Sequence, residues 1–129
     1  MSLRIHHVAL RARDLGATER FYVSVLGLRV LARHDARGSV WLDASGAVVM
    51  VERAQDDEPP VPRDTKELIA FAIDDLPSWR RRLAGAGVTV EAETPHTLYV
   101  RDPDGRRVGL STHSFAWDPP EKREETGRG

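Results

Sequence analysis

The sequence repeats itself, and the repeat constrains its fold more than any other feature. Asp14-Leu15 returns 61 positions later as Asp75-Leu76, and Gly27 returns after 60 as Gly87. Asp43, Gly46 and Met50 match Asp102, Gly105 and Gly109 at a spacing of 59. A period of this length, carrying strand and helix signals together, reads as one supersecondary unit used twice. The change from 61 to 60 is a one-residue slip inside the helix.

The order of signals within each unit is the same. Residues 5–12 alternate, with His6, Val8, Leu10 and Ala12 on one face and Ile5, His7, Ala9 and Arg11 on the other, which predicts a strand. Asp14 offers a helix N-cap. Leu15, Phe21, Tyr22, Val25 and Leu26 follow at helical spacing, and Gly27 is a natural stop. Leu28–Arg33, Val40–Leu42 and Ala47–Glu52 read as strands, with turns at Asp35–Ser39 and Asp43–Gly46. The second unit starts with an alternating Glu67–Asp74. Asp75 then caps a helix with the stripe Leu76, Trp79, Leu83 and Ala86, ending at Gly87. Val88–Glu91, Thr97–Arg101 and Arg106–Thr112 are extended, and Asp102-Pro-Asp-Gly105 is a turn.

Residues 54–66 carry Asp56, Asp57, Glu58, Pro59, Pro60 and Pro62, a composition that holds neither a helix nor a central strand. The prediction is a single α+β domain. Module one spans about 3–53, the linker 54–66, module two about 67–113 and a charged tail 114–129. Two βαβββ modules then form a curved mixed β-sheet that lines a cavity, with the helices outside. His6, Val8, Leu10, Val49, Val51, Ile69, Phe71, Ile73, Val108 and Leu110 are expected to pack on the helices, and the opposite faces to line the cavity.

Composition removes several function classes. The 129 residues are 40% hydrophobic and 30% charged, enough for a core without disulfides. With no cysteine, thiolate metal sites and cysteine nucleophiles are excluded, and a reducing cytoplasm is expected. A net charge of −1 and a pI near 6.5 give no electrostatic case for nucleic acid. No apolar run reaches the roughly 18–20 residues of a membrane span.

His7-Val8-Ala9-Leu10, Asp14-Leu15 and Phe21-Tyr22…Leu26-Gly27-Leu28 resemble the first module of the vicinal oxygen chelate superfamily (glyoxalase/bleomycin resistance protein/dioxygenase). Arg101-Asp-Pro-Asp-Gly105…Val108-Gly109-Leu110 resembles its closing hairpin, so the resemblance covers residues 5–113. It implies metal-ligand positions at His7, Met50, Leu68 and Gly109, where metal-dependent members carry His or Glu. Met50 is a soft thioether, and Leu68 and Gly109 offer no donor. A catalytic metal generally takes three protein ligands, so neither a metal nor a cofactor is expected.

The face pattern puts His7, Arg11, Glu52, Tyr99, Arg101, Arg107 and Ser111 among Met50, Leu68 and small apolar residues. That mixture suits a small organic ligand with an anionic group, which Arg11, Arg101 or Arg107 would hold. The first expectation is therefore metal-independent small-molecule binding, with Met50, Leu68 and Ser111 as further contacts. The alternative is a metal-independent enzyme in which His7 acts with Glu52 or Tyr99 as acid and base. A metal-dependent glyoxalase or dioxygenase ranks third. Two modules per chain are compatible with a one-chain cavity or a homodimer. Among other residues, Trp41 is expected to match Val100 and pack on a helix, His6 to face the helix side, His34 and His96 to lie in a turn and a loop, and Trp117 near the tail to stack on a ligand or partner. Arg80-Arg81-Arg82 reads as a solvated helix face.

Overall fold

The computed structural model describes residues 2–114. In chain order the elements are β1 (His7–Ala12), α1 (Leu15–Arg20), β2 (Arg29–His34), β3 (Ser39–Asp43), β4 (Val48–Arg53), β5 (Leu68–Ala72), α2 (Leu76–Gly85), β6 (Ala92–Glu93), β7 (Thr97–Arg101) and β8 (Arg107–Ser111). They form two four-stranded mixed sheets, β1-β4-β3-β2 and β5-β8-β7-β6. In each, the first and last strands of the module pair in parallel and the remaining pairs are antiparallel. The α+β plan of two βαβββ modules is thus present, and the sheets do not close into a barrel. Among the described residues no helix is long and apolar enough to cross a membrane.

Both helices start where a carboxylate can cap them. Asp14 Oδ1 accepts from Ala17 N at 3.0 Å and Asp75 Oδ1 from Ser78 N at 2.8 Å. The one-residue slip between the halves has a physical cause. After Arg20 the first helix widens into a π-helical turn, Phe21–Val25, in which Leu26 N donates to Phe21 O five residues back at 3.0 Å. Such a turn absorbs one inserted residue without breaking the helix. It leaves the consecutive Phe21 and Tyr22 both buried, at 6% and 0% exposure.

One core serves both modules. Leu10, Val40, Leu42, Val49 and Val51 from the first sheet join Leu98, Val100, Val108 and Leu110 from the second, with Phe21, Tyr22, Leu26 and Leu83 from the helices. Val8, Ile69, Phe71 and Ile73 pack half-buried at its margin, as their alternation predicts. His6 does not join them. It precedes β1, is exposed, and its Nδ1 lies 2.9 Å from His7 Nδ1.

A polar network ties the modules together. Tyr22 OH on the first helix donates to Asp102 Oδ2 in the β7–β8 turn at 2.7 Å, and Thr18 Oγ1 donates to Asp104 Oδ2 at 3.1 Å. Arg106 Nη1 donates to Asp102 Oδ2 at 2.7 Å, and Arg106 Nη2 to Arg11 O at 2.8 Å. Burial, and next the Asp102 charge, push the Tyr22 hydroxyl well above the usual tyrosine range, which keeps it a donor. The linker is held too. Glu58 takes a bidentate contact from Arg11, at 2.9 Å from Nε and 2.7 Å from Nη2, while Arg13 donates to the carbonyls of Gln55 and Glu58.

The arginine run is not uniformly solvated. Arg80 pairs with Glu93, and Arg82 lies over the Trp79 ring and donates to Val25 O at 2.6 Å.

Candidate functional site

The predicted site residues lie on the sheet faces turned away from the core. On the first sheet, register places His7 beside Val48, Ala9 beside Met50 and Arg11 beside Glu52. His7 and Glu52 share this face but stand four residues apart along it, roughly 13 Å. Arg11 Nη1 reaches Glu52 Oε1 at 3.1 Å, so these two are brought together, with Glu58 completing the cluster. Tyr99 belongs to the other sheet and does not meet His7 by register.

On the second sheet, Leu68, Tyr99 and Ser111 do come together. With Ala70, Ala72, Thr97 and His113 they line a cavity of about 360 Å³. Thr97 Oγ1 donates to Ser111 Oγ at 2.8 Å. The Arg107 guanidinium lies 4.0 Å from the Tyr99 ring centroid, and its buried Nε has no hydrogen-bond partner among the described residues. A buried donor left unpaired is costly, so an acceptor that reaches Nε would gain a hydrogen bond there. The other arginines are committed. Arg101 pairs with Glu91 and donates to Thr65 O at 2.7 Å, and Arg11 pairs with Glu58 and Glu52. Hydrogen bonding by Arg11 holds the Glu58 carboxyl down to about 2. The cluster around Arg11 is therefore an established ion-pair set, while Arg107 has a ring beneath it and a donor to spare.

Trp41, like His6, stands elsewhere than the sequence suggests. It pairs with Met50 on the outer face of the first sheet, while Val40 and Leu42 point into the core. The reason lies in the turns. Asp43 pairs with Val48, whereas Arg101 pairs with Arg107, so the second module has one more residue between the paired strands. The ladder equivalent of Asp43 is Arg101, and that of Trp41 is Tyr99 rather than Val100. Trp41 Nε1 donates to Ser39 Oγ at 3.2 Å, and the His34 ring lies 4.7 Å away. His34 thus ends β2 against an aromatic instead of standing alone in a turn. His96 is in a loop as expected, 5.6 Å from the His113 ring. Trp117 lies outside the described residues.

The four positions that the resemblance assigns to metal ligands are His7, Met50, Leu68 and Gly109. A Cβ at Gly109 would lie 3.3 Å from both Ala70 Cβ and Leu68 Cδ1, so a ligating side chain there would crowd its surroundings. Among the described residues no three His, Asp or Glu side chains gather to hold an ion. One imidazole, a thioether, a hydrocarbon and a glycine do not form a divalent-metal donor set.

Comparison with known proteins agrees with this fold. The family model described as "Glyoxalase/Bleomycin resistance protein/Dioxygenase superfamily" matches residues 4–110, and the chain belongs to that family. A fosfomycin resistance protein, FosX, from Mesorhizobium loti superposes with a TM-score of 0.76 at 20% identity, over 89% of this chain and 95% of that one. A lactoylglutathione lyase from Agrobacterium tumefaciens gives 0.65 at 26% identity, over 84% and 92%. A glyoxalase/dioxygenase from Nostoc punctiforme gives 0.71 at 20%, over 83% and 88%. No curated protein matches the sequence.

Proposed function

We propose that this protein binds a small organic anion without a metal ion, in the cavity on the outer face of the second sheet. The observation that carries the reading is the unpartnered, buried Nε of Arg107, whose guanidinium lies over Tyr99, a lining residue of a pocket of about 360 Å³. A volume of that size suits a small ligand, and the lining of Leu68, Ala70 and Ala72 supplies its apolar wall. Ser111 supplies a hydroxyl, while Arg101 and Arg11, held by Glu91 and by Glu58 and Glu52, lie outside the lining. The donor chemistry at His7, Met50, Leu68 and Gly109 supports the metal-independent form of this reading.

In this proposal the protein acts in the cytoplasm as a homodimer. The outer faces of both sheets point away from the shared core, and β1 and β5 each keep one unpaired edge. Leu68 and Ile5 are 41% and 65% exposed beside those edges. A second copy facing each outer surface would cover them and enclose the cavity. Proton transfer by His7 with Glu52 or Tyr99 is the alternative, and across such an interface these residues can meet although they are apart in one chain. The test is a thermal-shift screen of small carboxylates and phosphonates on chelator-treated protein, since a ligand of the native state raises the transition. A shift from at least one carboxylate that is absent in Arg107→Gln supports binding. No shift from any compound overturns it.

A further inference from the structure

Two rows of residues cross the sheets at equivalent heights, and they match position for position. In the first sheet, backbone register runs Ala9, Met50, Trp41, Ala32. In the second it runs Ala70, Gly109, Tyr99, Ala92. Each row has an alanine at either end and one half-buried aromatic in the third place. Each aromatic has a planar nitrogen-bearing group against it. His34 lies 4.7 Å from Trp41, and the Arg107 guanidinium 4.0 Å from Tyr99.

The geometry points to a planar, anionic aromatic molecule as the ligand. On the second sheet Ala70, Gly109 and Ala92 leave the floor beside Tyr99 low, so a flat body can lie across it, whereas on the first sheet Met50 stands beside Trp41. A guanidinium that lies over a tyrosine ring can take a second aromatic ring on its other face and a carboxylate at its N–H edge. An aliphatic acid of equal charge gains the ion pair but not the stacking. A neutral aromatic gains the stacking but not the ion pair. This rests on the binding reading above and adds the class of molecule bound.

The experiment is calorimetric titration of the full chain with three probes: 2-naphthoate, cyclohexanecarboxylate and 2-naphthalenemethanol. Naphthoate is expected to bind about tenfold more tightly than either of the others, the gain a well-stacked ring supplies. Tyr99→Leu should remove most of that advantage and leave cyclohexanecarboxylate unchanged, and Trp41→Leu, on the other sheet, should keep it. Tyr99→Phe, which keeps the ring, should retain it and show that folding is intact. Equal affinity for naphthoate and cyclohexanecarboxylate overturns the aromatic preference while leaving the anion-binding reading in place. Retention of the naphthoate advantage in Tyr99→Leu also overturns it. If none of the three probes binds and the wider screen shows no shift, the binding reading itself fails.

Discussion

Asp102 and Arg107 show two fates of charge in one small protein. The Asp102 side chain has no exposed surface and accepts from Tyr22, Arg106 and the backbone N–H groups of Asp104 and Arg106. Every lone pair is used, so the residue is structural. Asp102→Asn would leave Arg106 and Tyr22 without their anion, and an expected loss of about 3–5 kcal/mol of stability follows. Tyr22→Phe removes one bond only and should cost about 1–2 kcal/mol. Urea unfolding midpoints of the two variants measure both. Arg107 is the opposite case, with a buried donor unused. Arg107→Gln should weaken carboxylate binding by about tenfold or more with little change in the unfolding midpoint, read by titration and by urea on the same sample.

Among elements, both caps and most strands are legible because their signals are local, while β6 falls at Ala92–Glu93, just past the extended Val88–Glu91 that the sequence suggests. Alternation marked β1 and β5, and Asp14 and Asp75 cap as their positions predict. The slip from 61 to 60 was visible as arithmetic, but its form was not. A π-turn depends on where the widened turn packs, here with Phe21 and Tyr22 both inside. Trp41 was misplaced because matching the two turns by Asp43 and Asp102 ignores that one turn is a residue longer. A single residue there moves a strand's side chains to the opposite face. The aromatic rows became visible only with the register.

The linker forms neither helix nor strand, as its composition predicts, yet it is held in place. Glu58 is bound by Arg11, with Gln55 N also donating to it. Its folded value, about 2, lies below the ordinary glutamate range from which an unfolded chain titrates. Its contribution to stability is therefore fully present above pH about 4.5 and is lost as pH falls toward 2. Glu58→Gln should be less stable than the parent at pH 6 and converge with it near pH 2, as followed by thermal melts across that range.

The whole molecule is built around one core that both modules share, and this sends the two candidate faces outward. The sequence predicts two modules and a cavity, but which side of the sheets meets the partner module is a property of packing, not of periodicity. A homodimer predicts a particle of twice the 14.4 kDa chain mass by light scattering. Metal chemistry belongs to this scale as well, because its four positions come from four strands. The direct measurement is calorimetric titration of an anionic ligand into chelator-treated protein, repeated after adding one equivalent of Mn²⁺, Fe²⁺, Ni²⁺ or Zn²⁺. The prediction is saturable binding in the metal-free sample with an affinity unchanged by any of the four ions. Binding that appears only once one of them is added, at one ion per chain, would contradict it.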